Sequence, residues 1–416
     1  MAAEVIVLGA GIIGVSTAVH LARRGKSVVL VDRRDPGEET SYGNAGLIQR
    51  EGVVPYGFPR QLGTLARYAL NTRTDAFYHG RALPKVAPFL WRYWWHSRTD
   101  RHKRIAADYA RLIAHSICEH ADLIEAAGAG HLIRKDGWTE LFRTKTTLDL
   151  ELAAARVKQA DHGLAYDTLD RATLKRREPH LDHDAFVGGL TWRDPWAVRD
   201  PLALTRAYVA LFEKLGGRFV HGDATTLTAS AGSWMVTTGE GPMTARDVVV
   251  ALGPWSEGVT RRLGYRYLLG VKRGYHMHYG ARQGAKLNGW VMDAERGYLL
   301  APMDQGIRLT TGAEFALRDA PKTPVQLARA EKLARTVFPL ADRLDEQPWM
   351  GARPCTPDMM PVIGKAPRHD GLWFAFGHAH HGLTLGPVTG RVLAEMMTGK
   401  PPVIDMSPYR PERFRA

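Results

Sequence analysis

The chain has 416 residues, too many for one simple core, so roughly two to three domain-sized units are expected. With 45% hydrophobic and 24% charged residues, no low-complexity tract and only Cys118 and Cys355 as cysteines, the composition is that of a globular intracellular protein, not a disulfide scaffold. The net charge of +13 comes from scattered Lys and Arg without a long basic block, which argues against a nucleic-acid partner and for a solvated basic surface.

Residues 4–32 carry the clearest pattern. Glu4–Leu8 is a short β-branched run, a buried strand. Gly9, Gly11 and Gly14 follow in G-x-G-x-x-G order, Ile13–Arg24 has helical apolar spacing ended by Gly25, and Ser27–Val31 is a second strand closing on Asp32. Gly9 suits a tight turn, Gly11 lets the backbone approach a pyrophosphate, and Gly14 lets helix and strand pack closely. The helix N-terminus at Ile12 and Ile13 faces the phosphates, and Asp32 and Arg33 stand where a ribose would lie. The phased glycines and the missing basic n-region exclude a signal peptide, and no stretch approaches the ~20 apolar residues of a membrane span. The next segment, Glu39–Ile48, is small, polar and glycine-rich. Ser41, Asn44, Ala45, Gly46 and Leu47 suit a backbone wrapped around an extended cofactor, which favours FAD over NAD.

Residues 84–98, PKVAPFLWRYWWHSR, mix aromatic and basic side chains. Trp and Arg suit a membrane surface, but a buried helix packing its tryptophans is the preferred expectation. Residues 103–127 read as one long amphipathic helix with Ile105, Tyr109, Leu112, Ile113 and Ile117 on one face. Asp200-Pro201 opens a helix ending at Gly216-Gly217, Arg218–Val220 begins a strand, and Asp247–Ser256 is a buried strand ending in a glycine turn. Leu268–Gly280 and Gly297–Phe315 alternate like antiparallel strands.

Gly351–Gly364, GARPCTPDMMPVIG, holds one arginine between prolines, a stiff segment carrying a planar cationic fork. Such a fork grips a carboxylate by two parallel hydrogen bonds. Phe374–Gly399 reads as strand, glycine loop and a helix from about Pro387. Amides around Gly382, Leu383 and Thr384, with the helix dipole, suit negative charge on a reduced flavin. The glycine loop, not a metal, is the reading of His378, His380 and His381, and no metal site is expected.

The GAGIIG loop, the acid at Asp32, S-x-G-N-A-G-L-I and G-x-R-P-x-T-P-D-x-x-P-x-I-G together resemble the D-amino-acid oxidase-like FAD family, and within it the bacterial D-amino acid dehydrogenases of small-subunit type. The resemblance implies an α/β fold: a Rossmann-type FAD-binding domain (1–48, 146–185, 200–266 and 352–416) with a second α+β substrate domain on an antiparallel sheet (49–145, 186–199 and 267–351). It implies that Ala224 meets the adenine, that Gly253 lies near the cofactor, and that Arg353 binds the substrate carboxylate. It makes Tyr56, Tyr275 and Tyr298 candidates for substrate contact. His380 joins them, standing where glycine oxidase has an arginine. Relatives with flavin attached to a histidine near residue 44 have a residue this chain lacks, so non-covalent FAD is expected; Cys355 reads as an inert small residue. The implied activity is hydride transfer from the Cα of a D-amino acid to flavin, with no general base required. Electrons would pass to a quinone or another acceptor, in the cytoplasm or at the inner face of the membrane. Oxidation of secondary or cyclic amino acids is the alternative.

Overall fold

The computed structural model describes residues 3–230 and 232–414. Two sheets organise the chain. In the first, of seven strands, Ala3–Leu8 runs parallel to both Val28–Asp32 and Gly241–Val250. Arg218–Ser230 lies parallel beyond the former and Leu372–Phe376 parallel beyond the latter. Ile6, Val7 and Leu8 are fully buried, as a strand covered on both faces requires. Val362–Lys365 adds an antiparallel edge, and Arg218–Ser230, Ser233–Thr238 and Gly241–Val250 form an antiparallel meander.

Helices Ile12–Ala22, Pro201–Lys214 and Gly382–Met397 pack together beside this sheet. Asp200 caps the second by accepting from the amides of Leu202 and Ala203, as its place before Pro201 leads one to expect. The first and third helices meet at their backbones. A β-carbon on Gly390 would stand 2.6 Å from the carbonyl carbon of Ser16, and one on Gly386 would stand 2.9 Å from a methylene of Ile12.

The second sheet has eleven strands around a long one, Gly270–Ala281. Gly306–Thr310, Ala313–Phe315, Leu340–Arg343 and Trp349–Cys355 all pair with it antiparallel. The antiparallel reading of 268–315 therefore holds.

Five expectations change. The arginine segment is not a loop: Arg353 and Pro354 lie in Trp349–Cys355, which pairs with Gly270–Ala281 and bridges to His378 at Cys355 alone among its described residues. An edge strand tolerates a proline because one side of its ladder is unpaired. Residues 146–185, expected with the cofactor domain, contribute Tyr166–Leu169 to the second sheet through Gly188–Trp192. Residues 103–127 form two helices, Thr99–Ala114 and Ser116–Ala126, because His115 takes a tighter bond back to Leu112. The last helix begins at Gly382, five positions before Pro387. Proline there lacks the N–H that would reach Leu383, and His120 Nε2 donates to that carbonyl instead at 2.8 Å. Finally, helix Leu83–His96 buries Phe89 and Tyr93 but leaves Trp91 63% and Trp95 37% exposed. Among the described residues no helix is long and apolar enough to cross a membrane.

Candidate active site

A cavity of about 770 Å³ is lined by residues of both sheets, from Gly9 to Leu383. Its cofactor end is built from the glycine turn. Gly9 takes φ +107°, where L side chains are strained, and a β-carbon on Gly14 would stand 1.8 Å from the Gly9 carbonyl oxygen. Gly14 does not line the cavity; it lets the helix sit on the turn. Gly11, Ile12 and Ile13 line the space directly. Ser41 Oγ accepts from the Ile12 amide at 2.9 Å and so caps the helix from the following loop. Asp32 lines the cavity at the end of its strand, with one carboxylate oxygen accepting from Ala10 N at 2.7 Å. Arg33 lies beside it, its guanidinium over the Trp255 ring.

The loop Ser41–Leu47 is held rigidly. Arg308, buried, donates to the carbonyls of Tyr42 and Asn44 at 3.0 and 2.7 Å. Trp290 Nε1 donates to Ala45 O, and Asn44 Oδ1 accepts from Gly46 N. Gly46 faces away from the cavity: its φ is +72°, and a β-carbon would meet Val198 O at 2.3 Å. Thr384 also supports rather than lines, its hydroxyl accepting from Gln49 N at 3.0 Å. Ala224, Gly253, Gly382 and Leu383 all border the cavity, and nothing lies within 4 Å of where a β-carbon of Gly253 or Gly382 would stand. Bare backbone at these two glycines and two helix N-termini opening on one space fit a long anionic cofactor.

The other end of the cavity is cationic. Among the described residues Arg353 donates only to backbone carbonyls, to Gly312 O at 3.0 Å and more loosely to Thr311 and Arg273. Burial lowers its pKa. Its guanidinium lies across Gly274, where a β-carbon would come within 2.5 Å. Tyr56 and His380 face each other with ring centroids 4.8 Å apart. Burial, reinforced by Arg353 and Lys272, holds His380 well below the usual imidazole range, so it is neutral at pH 7.

Register turns the Tyr275 side chain away from Arg353. Lys272 stands directly opposite Arg353, so Tyr275, an odd number of positions from Lys272, projects to the opposite face of the strand. There its hydroxyl meets Arg273 at 2.9 Å and Glu314 at 3.2 Å, in the core of the second sheet. Tyr298 packs in the same core, its phenol beside Asp293 and Arg143. Both tyrosines also border the cavity, as does Lys272, which stands across the strand pair from Arg353. Cys355 is buried outside the cavity lining.

A glycine-walled dinucleotide cradle joined to a cationic chamber fits an FAD-dependent oxidoreductase. The family model described as FAD dependent oxidoreductase (DAO) matches residues 4–396, and the chain belongs to that family. It is 30% identical to a D-amino-acid oxidase of Bradyrhizobium diazoefficiens, covering 99% of both chains. It is 31% identical to a D-amino acid dehydrogenase of Rhizobium johnstonii, covering 97% of both. The fold is shared with glycine oxidase from Geobacillus kaustophilus, at TM-score 0.75 and 20% identity over 100% of this chain and 99% of that one.

Asp32→Ala is expected to weaken FAD binding by roughly ten- to a hundredfold. Charge-assisted hydrogen bonds at this position are worth about 1.5–3 kcal/mol. Titrating apoprotein with FAD by flavin fluorescence measures it, and an unchanged affinity would remove Asp32 from the ribose site.

Proposed function

We propose that the protein oxidises a D-amino acid at Cα, releasing the imino acid to hydrolyse in water, and passes the electrons to a quinone or another acceptor. FAD, when bound, supplies the hydride acceptor. The observation that carries this reading is Arg353: a half-buried guanidinium whose hydrogen bonds, among the described residues, run to carbonyl oxygens, bordering the cofactor cavity. Its two planar donors fix the position and plane of a substrate carboxylate, which aims Cα–H. Neutral His380 and Tyr56 close the chamber beside it. No base of this chain is needed if the amine binds unprotonated. The names of the relatives favour D-amino acids.

A second reading, oxidation of secondary or cyclic amino acids such as sarcosine, proline or hydroxyproline, draws on the likeness to glycine oxidase. A screen of D-, L- and N-substituted amino acids with an artificial electron acceptor separates the two readings. An oxygen electrode run in parallel decides between oxygen and another acceptor. Turnover of L-amino acids alone would sink the D-specific reading. The flavin is expected to leave the polypeptide in acid, since Cys355 stands outside the cavity; flavin retained on the denatured chain would refute non-covalent binding.

Around the exposed Trp91 and Trp95, Arg60 lies over the Trp94 ring and Arg98 and Arg101 lie over the Trp95 ring. This face suits peripheral contact with an anionic bilayer, where aromatic rings sit at headgroup level and basic side chains meet phosphate. Co-sedimentation with phosphatidylglycerol vesicles, reduced by Trp91→Ala with Trp95→Ala, is the expected result. Equal sedimentation with neutral vesicles would count against it.

A further inference from the structure

The substrate chamber holds a second cation that one carboxylate leaves unused. Lys272 and Arg353 are direct partners across neighbouring antiparallel strands. Like charges in that position repel. Lys272 is 4% exposed and lines the cavity, yet its ammonium meets only the Tyr93 hydroxyl, at 2.8 Å, with the Tyr93 and Phe315 rings around it. An ammonium has three donors, so two are unspent. Neither Lys272 nor Arg353 makes an ion pair with a described residue.

The nearby acids are already committed elsewhere. Glu314 is taken by Arg273 at 2.6 Å on the other face of the sheet, and Asp75 by Arg73 at 2.7 Å. Burial, with Arg353 adding to it, lowers the Lys272 pKa to about 8, the mark of a cation stripped of water without a counter-charge. The strand face that carries Lys272 has glycine on either side: the Phe89 ring packs over Gly270 and the Arg353 guanidinium lies over Gly274.

A like-charged pair of this kind, with Lys272 buried and Arg353 half-buried, costs stability unless anions neutralise it. One carboxylate satisfies Arg353. We propose that Lys272 receives a second carboxylate of the substrate, so that the preferred substrate is a dicarboxylic amino acid: an acidic amino acid or one carrying an N-carboxyalkyl group. This rests on the reading that Arg353 binds the α-carboxylate, and makes Lys272 a specificity-determining residue of the same chamber.

The test needs no turnover. FAD-loaded protein is titrated at pH 7 with succinate and with butyrate, of equal chain length, and perturbation of the flavin absorption spectrum gives each dissociation constant. Succinate is expected to bind at least about tenfold more tightly, the scale of one charge-assisted hydrogen-bonded contact. In Lys272→Met the ratio is expected to fall close to one, and in Lys272→Arg the preference is expected to return. Equal binding of the two acids by the wild-type protein overturns the proposal, whatever the variants do. So does a succinate preference that persists in Lys272→Met. Failure of the parent reading looks different: acids of both kinds bind with the succinate preference, but no amino acid reduces the flavin. Reduction by D-alanine with no preference between succinate and butyrate sinks only the second carboxylate.

Discussion

Arg353→Ala is expected to keep its FAD and lose most of its ability to oxidise free amino acids. The hydrogen bonds of the side chain run to Gly312 and neighbouring carbonyls of the second sheet. Removing one partner of a buried charged contact costs on the order of 2–5 kcal/mol, roughly thirty- to several-thousand-fold. The loss is expected in both KM and the rate of flavin reduction, because a loosely held carboxylate also misaims Cα–H. Lys272, directly across the strand pair, leaves one cation in the chamber. The alanine variant should therefore retain weak binding of carboxylates while losing their orientation. Arg353→Lys restores charge without the planar fork and is expected to recover only part of the rate. Anaerobic stopped-flow reduction by a D-amino acid measures both quantities. Reduction at near wild-type rate and affinity would place the carboxylate elsewhere.

Gly14→Ala is expected to be the most damaging small substitution in the cofactor half. Its added β-carbon would stand 1.8 Å from the Gly9 carbonyl oxygen, a backbone atom fixed by the turn itself. Relief requires the helix Ile12–Ala22 to lift from the strand, and overpacking of this kind costs typically 1–3 kcal/mol or more. A loss of about 3 kcal/mol is expected, together with protein purified largely free of flavin. Gly63→Ala is the control: it lies in helix Leu62–Ala69 with nothing within 4 Å of the new carbon. Removing a helical glycine there is expected to stabilise that helix by up to about 1 kcal/mol. Thermal unfolding with and without FAD, and the ratio of flavin to protein absorbance, report both. Full flavin content in Gly14→Ala would show that the helix has freedom this packing denies.

The cofactor cradle was legible because its signal is local. Turn, helix and strand of residues 4–32 are contiguous, and each glycine has a steric job that spacing alone reveals. The far half of the site was legible only in part. Arg353 was found by its chemistry among prolines, but its strand was not, since two prolines argue for a loop until an edge position is known. Tyr275 is a candidate because the resemblance implies substrate tyrosines on this sheet, whereas nothing in the sequence singles out Lys272. What decides between them is the parity of strand Gly270–Ala281, and that strand is buried along almost its whole length. With both faces covered there is no polar–apolar alternation to reveal which side faces Arg353. Only pairing with Trp349–Cys355 sets it. Arg308, Trp290 and His120 were missed for a related reason. Each acts on a backbone carbonyl far away in sequence, and no local pattern marks such a contact. The tryptophans of 84–98 misled in the opposite sense: an aromatic-rich segment reads as core, although two of its rings lie in solvent.

The close crossing of helices Ile12–Ala22 and Gly382–Met397 also bears on how the molecule is made. On a ribosome the first helix emerges early, but the surface it is shaped for, around Gly386 and Gly390, is synthesised only after nearly all of both sheets. Until then Ile12 and Ser16 lack their partners, and the wall of the cradle from Ala375 to Leu383 does not exist. FAD loading is therefore a late event that follows translation of the helix to about Val392, and the nascent chain must survive until then without its cofactor. Cells short of riboflavin would accumulate full-length chains with this last-made wall in place and the cradle empty.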